Sequence, residues 1–442
     1  MNPVSIPDST DSIHNIGEHI LEYQPLQNAF LDALVNRIGR VIITSKMWNN
    51  PWSVFKKGYL EFGETVEEIF VNIAKPHSFD PQTAEKEVYK RELPDVRAAF
   101  HTMNFQKFYK VTISNDQLRQ AFLSWQGITD LIAKIVDSLY TGMQYDEWCT
   151  MKYMVAREIL NGGFYLQDSP DISGDNLTEG NLKKMIAGLR AQSSKLEILN
   201  HIYNRAQVMT ASPRNDQFVI IDADLEGAVD VEVLASAFNM GRADFIGHLI
   251  VVDSFSEHDT ERLAELFGDD PSYVPFTEQE LLALQSVNAT VVDRDWWMIF
   301  DNYQQFTQNY NGQGLYWQYF YHSWKTFSAS PFANAIVFAS GTNEVTGVTV
   351  SPATANVTQG SSAQMGATVA GTGIFPKGVS WSIEGQTSSG TAIDGASGVL
   401  RIAADETVHD SENPDAGGTI TVKATAADGQ YGTADITVVS AA

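Results

Sequence analysis

The chain has 442 residues, 43% of them apolar and 19% charged, which allows a sizeable buried core spread over roughly two to four domains. With 29 Lys and Arg against 54 Asp and Glu the formal charge is −25, so a general basic surface for gripping phosphates is excluded. The opening MNPVSIPDSTDSIHN has no basic or apolar leader region, and no later stretch approaches about 18 uninterrupted apolar residues. Neither secretion nor a membrane span is expected, and the single cysteine, Cys149, fits a reduced compartment.

Charge is distributed unevenly. Residues 33–60 contain no acid but carry Arg37, Arg40, Lys46, Lys56 and Lys57, whereas residues 220–306 hold eighteen acids against Arg242, Arg262 and Arg294. The two regions are complementary within one molecule or between copies. After the breaker Asn49-Asn50-Pro51, Phe55-Lys56-Lys57-Gly58 leads into a run where Ile69, Val71 and Ile73 alternate with Phe70 and Asn72. This predicts an extended hairpin, rich in charge and short of a core, that needs a partner surface.

Ser114 and Gln117 have capping-box spacing ahead of an apolar stripe from Leu118 to Leu139, which predicts a long helix. A second stripe, Trp148, Met151, Val155 and Ile159, ends at Asn161-Gly162-Gly163, and a third, from Leu182 to Leu189, follows Thr178. From about residue 216 the pattern becomes α/β, with strands at Phe218–Ile221 and His248–Val252. Aromatic runs on either side of Asn311-Gly312 predict two long strands around a turn. Beyond Ala339 the composition shifts to Gly, Ser, Thr, Ala and Val in short alternating runs, the pattern of a small β-sandwich anchored by Trp381.

No catalytic motif is present: there is no Walker A sequence, no His-Glu-x-x-His and no Gly-x-Ser-x-Gly. Asp222-Ala223-Asp224-Leu225-Glu226-Gly227 begins like a calcium loop but offers Val233 where the bidentate carboxylate belongs, so Asp222 reads as a helix cap. The nine histidines show no ligand spacing. Aromatics between 316 and 327 could stack on sugars, but core packing is the default. No cofactor, metal or catalytic residue is expected.

Several motifs carry a family resemblance. Asn50-Pro51 with Phe55-Lys56-Lys57-Gly58, Gly63-x-Thr65-Val66-Glu67-Glu68-Ile69 and Arg91-Glu92-Leu93-Pro94-Asp95-Val96 resemble the major capsid protein of phi-29-like short-tailed phages. The likeness continues through Ala121-Phe122-Leu123-Ser124-Trp125, Ile220-Ile221-Asp222-Ala223-Asp224-Leu225, Asp293-x-Asp295-Trp296 and Gly314-Leu315-Tyr316-Trp317. The tail, with Val348-x-Val350-x-Pro352, Val379-Ser380-Trp381-Ser382 and Gly398-Val399-Leu400, is similar to a bacterial immunoglobulin-like module of group 2.

The resemblance implies an α+β coat fold of the Hong Kong 97 type plus an all-β sandwich. It divides the chain into an N-terminal arm (1–45), an extended loop (46–95), a peripheral domain with a spine helix (96–195), an axial domain (196–290), return strands (291–340) and an immunoglobulin-like domain (345–442). It implies self-assembly into hexamers and pentamers of an icosahedral or prolate virion shell, built in the host cytoplasm. Scaffolding and portal proteins are implied partners, with packaged double-stranded DNA enclosed without specific binding and no membrane contact. The extended loop makes Lys56, Lys57, Glu67 and Glu68 the expected inter-subunit contacts. The sandwich is expected to be an outward decoration on a polar linker. The competing reading is a surface adhesin that binds carbohydrate through the sandwich, and a carboxylate-based glycosidase is a third.

Overall fold

The computed structural model describes residues 50–60, 65–74, 76, 94–114, 125–228, 248–395, 397–409 and 418–440. Its centre is one helix, α1 (Trp125–Leu160), 36 residues and about 54 Å long. The two apolar stripes around Leu139 and Trp148 thus belong to a single continuous helix, because no Gly or Pro pair interrupts the chain between them. It ends at Gly162, whose φ of +70° supplies the left-handed turn read from Asn161-Gly162-Gly163. The capping position Gln117 lies outside the described residues.

A five-stranded sheet lies between α1 and α2 (Glu179–Leu196). Its order is β5 (Tyr165–Asp168), β11 (Ala335–Ala339), β8 (Val287–Asp293), β6 (Gln217–Asp222) and β7 (Leu249–Val252). It therefore draws strands from three distant parts of the sequence. Both faces are covered, which is why β6 and β11 read as unbroken apolar runs and not as alternations. Phe218 and Ile220 pack with Met151, Val155 and Ile159 of α1, while Val219 and Ile221 turn to Met185 and Leu189 of α2. Thr178 caps α2 by accepting the Asn181 N–H at 3.3 Å. Asp222 caps the short α3 (Ala223–Ala228), accepting the Asp224 N–H at 2.8 Å.

A second sheet, ordered β1 (Lys56–Tyr59), β9 (Trp297–Asn311), β10 (Tyr316–Ala329) and β4 (Phe105–Ser114), runs along the other side of α1. β9 and β10 form the expected long hairpin, with Asn302 bulged between Tyr303, opposite Trp324, and Asp301, opposite Lys325. Strand alternation splits the aromatics: Trp317, Tyr319 and Tyr321 pack toward Leu139 of α1, whereas Phe320, His322 and Trp324 lie on the opposite face. The core reading therefore holds for half of them.

β2 (Val66–Val71) and β3 (Val96–His101) form a separate antiparallel ribbon. The C-terminal unit is all β, with strands β12 (Glu344–Ser351) to β20 (Tyr431–Val439) in three small sheets. Its core contains Trp381 with Val350, Leu400, Ile420, Val422 and Ile436.

Candidate assembly surfaces and the charge cluster beneath them

Lys56 does not reach outward. The turn Pro51–Phe55 is started by Asn50, whose side chain accepts the Trp52 N–H, and it buries Trp52 and Phe55 against Trp297. This anchors β1 beside β9 and sends the Lys56 ammonium into a cluster of its own chain. There it meets Asp301 Oδ2 at 2.5 Å and Glu147 Oε2 at 3.2 Å. Lys325, fully buried, donates to the same Glu147 and lies 3.1 Å from Asp301 Oδ1. Two cations and two anions thus join β1, α1, β9 and β10, and Asn50 Nδ2 adds a 2.9 Å bond to Glu147.

The electrostatics are self-consistent. Burial pushes the Glu147 and Asp301 carboxyls up, but Lys325 and Lys56 outweigh it and hold both below the usual carboxylate range. Burial likewise disfavours the Lys56 ammonium, yet Glu147 and Asp301 raise it above the usual lysine value. Lys56, Glu147 and Asp301 are thus all held in their charged forms at pH 7.

Lys57 pairs with Asp295, also of its own chain and largely exposed. Where sequence reading expected Lys56 and Lys57 to meet a neighbour's acids, the structure gives both of them acids of their own chain. Glu68 also faces inward. Its Oε2 lies 3.1 Å from His101 Nε2, and its Oε1 accepts the Ser330 hydroxyl at 2.7 Å. On the same face Phe70 stacks on Phe332, Arg97 donates to the Ala206 carbonyl, and the Met209 N–H donates to Asn72.

Glu67 is on the other, outward face of the ribbon. With it lie Ile69, Val71 and Phe100, which are 58%, 61% and 65% exposed, and Val96. One ribbon face is thus pinned to the body and the other presents a contiguous apolar strip without a described partner.

The long helix is tied sideways to the acidic segment. Asp146, inaccessible to solvent, accepts a bidentate pair from Arg262 at 2.7 and 2.9 Å and the Tyr109 hydroxyl at 2.7 Å. Arg157 pairs with Glu280 at 2.8 Å.

The C-terminal unit is held by more than a linker. Ile374, 3% exposed, belongs to the core cluster that contains Ile159, Leu160 and Phe164. Asn343 Oδ1 accepts its N–H at 2.8 Å. A Cβ at Gly162 would collide with the backbone of Pro376 and Lys377. The expected polar tether is corrected to a short connection backed by an apolar plug. Sequence reasoning missed Ile374, which sits in a loop with no periodicity, and it missed Glu147, Asp301 and Lys325. The one available signal for that cluster was Lys325 and Asp301 as lone charges within aromatic strand runs.

Among the described residues there is no group of three or more potential metal ligands. The arrangement consists of a rigid frame with outward surfaces. The solved capsid of Staphylococcus phage Andhra has a similar fold, with a TM-score of 0.52 and 16% identity over 67% of this chain and 86% of that one. The fold is thus that of a phage capsid subunit.

Residues 5–339 match the Phi29-like phage major capsid protein model. The chain is 38% identical over 431 residues to the major capsid protein of Bacillus phage B103, covering 97% of this chain and 86% of the relative. It is 39% identical over 403 residues to that of Bacillus phage PZA, covering 90% and 82%. The chain belongs to the phi29-like phage major capsid protein family. It is a structural protein of the virion capsid that self-assembles into a shell, and not an enzyme. The carbohydrate-binding adhesin reading finds no support. No helix among the described residues is long and apolar enough to cross a membrane.

Proposed function

We propose that the chain builds a closed icosahedral or prolate head on a Hong Kong 97-type fold, with residues 46–95 as the extended loop and Glu67 at its contact with a neighbouring subunit. The observation that carries this reading is the two-faced ribbon. Glu68, Phe70 and Arg97 fix one face to the subunit's own body, and the exposed Ile69, Val71 and Phe100 leave the other for a second copy. The remaining segments are proposed to follow the same frame: residues 96–195 as peripheral domain with α1 as its spine, 196–290 as axial domain and 291–340 as return strands.

Residues 345–442 are proposed to be an immunoglobulin-like sandwich, with Trp381 as the anchor of its core. Scaffolding and portal proteins are the proposed assembly partners. Double-stranded DNA is enclosed without specific binding, in keeping with a chain of charge −25 that lacks the phosphate contacts of a tight binder.

Electron microscopy of the expressed protein tests the reading. Wild type is expected to form closed shells. Ile69→Asp with Phe100→Asp is expected to leave a folded subunit and reduce closed shells at least tenfold, and undiminished shell yield from that variant overturns the assignment of the ribbon.

A further inference from the structure

Residues 302–343 contain no Asp or Glu, and neither do residues 96–115, in a chain where 54 of 442 residues are acids. These two segments supply β4, β10 and the part of β9 beyond Asp301. Register sorts their side chains. Phe320 stands between Lys110 and Thr307, His322 between Phe108 and Gln305, and Trp324 between Gln106 and Tyr303, all on the face turned away from α1. Phe108, 58% exposed, lies 5.7 Å from the His322 ring and 6.0 Å from Phe320, and Tyr303 lies 4.8 Å from Trp324. The Lys110 ammonium stands 5.7 Å from the Phe320 centroid and pairs with no acid among the described residues. An open face of rings and amides with one lysine and no acid has the composition of a protein interface core, where aromatics are enriched and charges depleted. Duplex DNA would instead call on several cations per subunit, and Lys110 is the only Lys or Arg on this face.

The ribbon's outward strip is its complement. Ile69, Val71, Val96 and Phe100 are apolar and exposed, and Glu67 is the one charge among them, against one lysine on the sheet. The footprints agree as well. Six residues per strand make the strip about 20 Å long, and the sheet face from Gln106 to Lys110 runs about 16 Å with β4 and β9 about 10 Å apart. The strip that fills this face is not the chain's own. His101 Nδ1 lies 2.7 Å from Ser328 Oγ and Glu68 accepts from Ser330, which ties the ribbon's inward face to the end of β10 and turns the strip away. Strip and face are different patches, so their contact is heterologous and runs head to tail, the arrangement that closes rings.

We propose, resting on the assignment of the ribbon above, that the outer face of β4, β10 and β9 receives the outward ribbon strip of a second copy, with Glu67 of the partner subunit against Lys110. Exchange of the two charges tests this in the full chain. Lys110→Glu and Glu67→Lys are each expected to lower the yield of closed shells about tenfold, because each sets like charges together at every contact. Both changes in one chain are expected to restore the yield to within about threefold of wild type, a rescue that misfolding would not show. Disulfide trapping is the second measurement. Subunits with Glu67→Cys, assembled with subunits carrying Lys110→Cys and oxidised, are expected to link position 67 to position 110. Normal shell yield from Lys110→Glu, with no such link, overturns the receiving face while leaving the ribbon's assignment intact if Ile69→Asp with Phe100→Asp still blocks closure. Full assembly of that ribbon variant overturns both. Links between two copies of position 110 alone overturn the proposal in favour of pairing between two sheet faces.

Discussion

Lys325→Met should be the most damaging single change in the charge cluster. The methionine fills similar volume, so the loss is electrostatic. Glu147, 1% exposed, would keep only Lys56 and Asn50, and Asp301 only Lys56. Removing one member of a buried ion pair costs about 3 to 5 kcal/mol because a charge is left uncompensated. The remaining contacts place this case toward the lower end of that range. Urea unfolding of the unassembled subunit, followed by the fluorescence of the adjacent Trp52 and Trp297, reads the cost. Adding Glu147→Gln should return a large part of it, since the buried charge is then gone and the double change couples non-additively. The wild-type cluster also sets a pH window. Both carboxyls are held below their ordinary values of 4.5 and 3.8, so their contribution is fully present above that range and is lost as pH falls through their lowered folded values. Lys325→Met should lose part of this acid dependence. A cost under about 1 kcal/mol, or a double variant as unstable as the sum of the two singles, refutes the reasoning.

Arg262→Ala strips the bidentate partner from a fully buried Asp146 and should destabilise the subunit by about 3 kcal/mol or more in the same urea assay. Lys57→Ala, whose partner Asp295 is largely exposed, should change stability by less than about 1 kcal/mol. Ile374→Ala should cost about 2 to 5 kcal/mol, measured on the full chain, as expected for emptying an apolar site in a core. The purified protein should show little retention on a DNA column at physiological salt, and submicromolar binding with a steep salt slope would contradict that expectation.

Elements with strong local codes were legible in the sequence. Gly162 as a helix stop, the Asn311-Gly312 hairpin and the alternating tail all encode their conformation within a few residues, and each is found where it was read. The boundaries that failed depend on distant partners. One continuous α1 looked like two helices because the two ends of its stripe face different neighbours: Leu139 meets the aromatic sheet, whereas Met151 and Ile159 meet β6. Lys56 looked like a surface contact because a lysine in a charged run is usually solvated. Its real environment is made by Glu147, Asp301 and Lys325, which are 91, 245 and 269 positions away in the chain. No local pattern encodes such a meeting, and only the register of β9 against β10 brings Asp301 opposite Lys325.

The placement of the charges bears on how a shell subunit can be both rigid and reversible in its contacts. Closure of a shell favours many weak interfaces, since each must be correctable until avidity takes over. Strong, desolvated ion pairs at those interfaces would work against correction, because breaking one leaves a buried charge. Among the described residues the desolvated charges Lys325, Glu147 and Asp146 lie inside the subunit and brace the long helix. The ribbon's outward face, the proposed contact with a neighbour, instead offers Ile69, Val71, Val96 and Phe100, and apolar contacts there would be non-directional and scale with the area covered. On the proposed assignment of the ribbon, such a division would make the frame stiff through electrostatics and the contacts adjustable through hydrophobic burial.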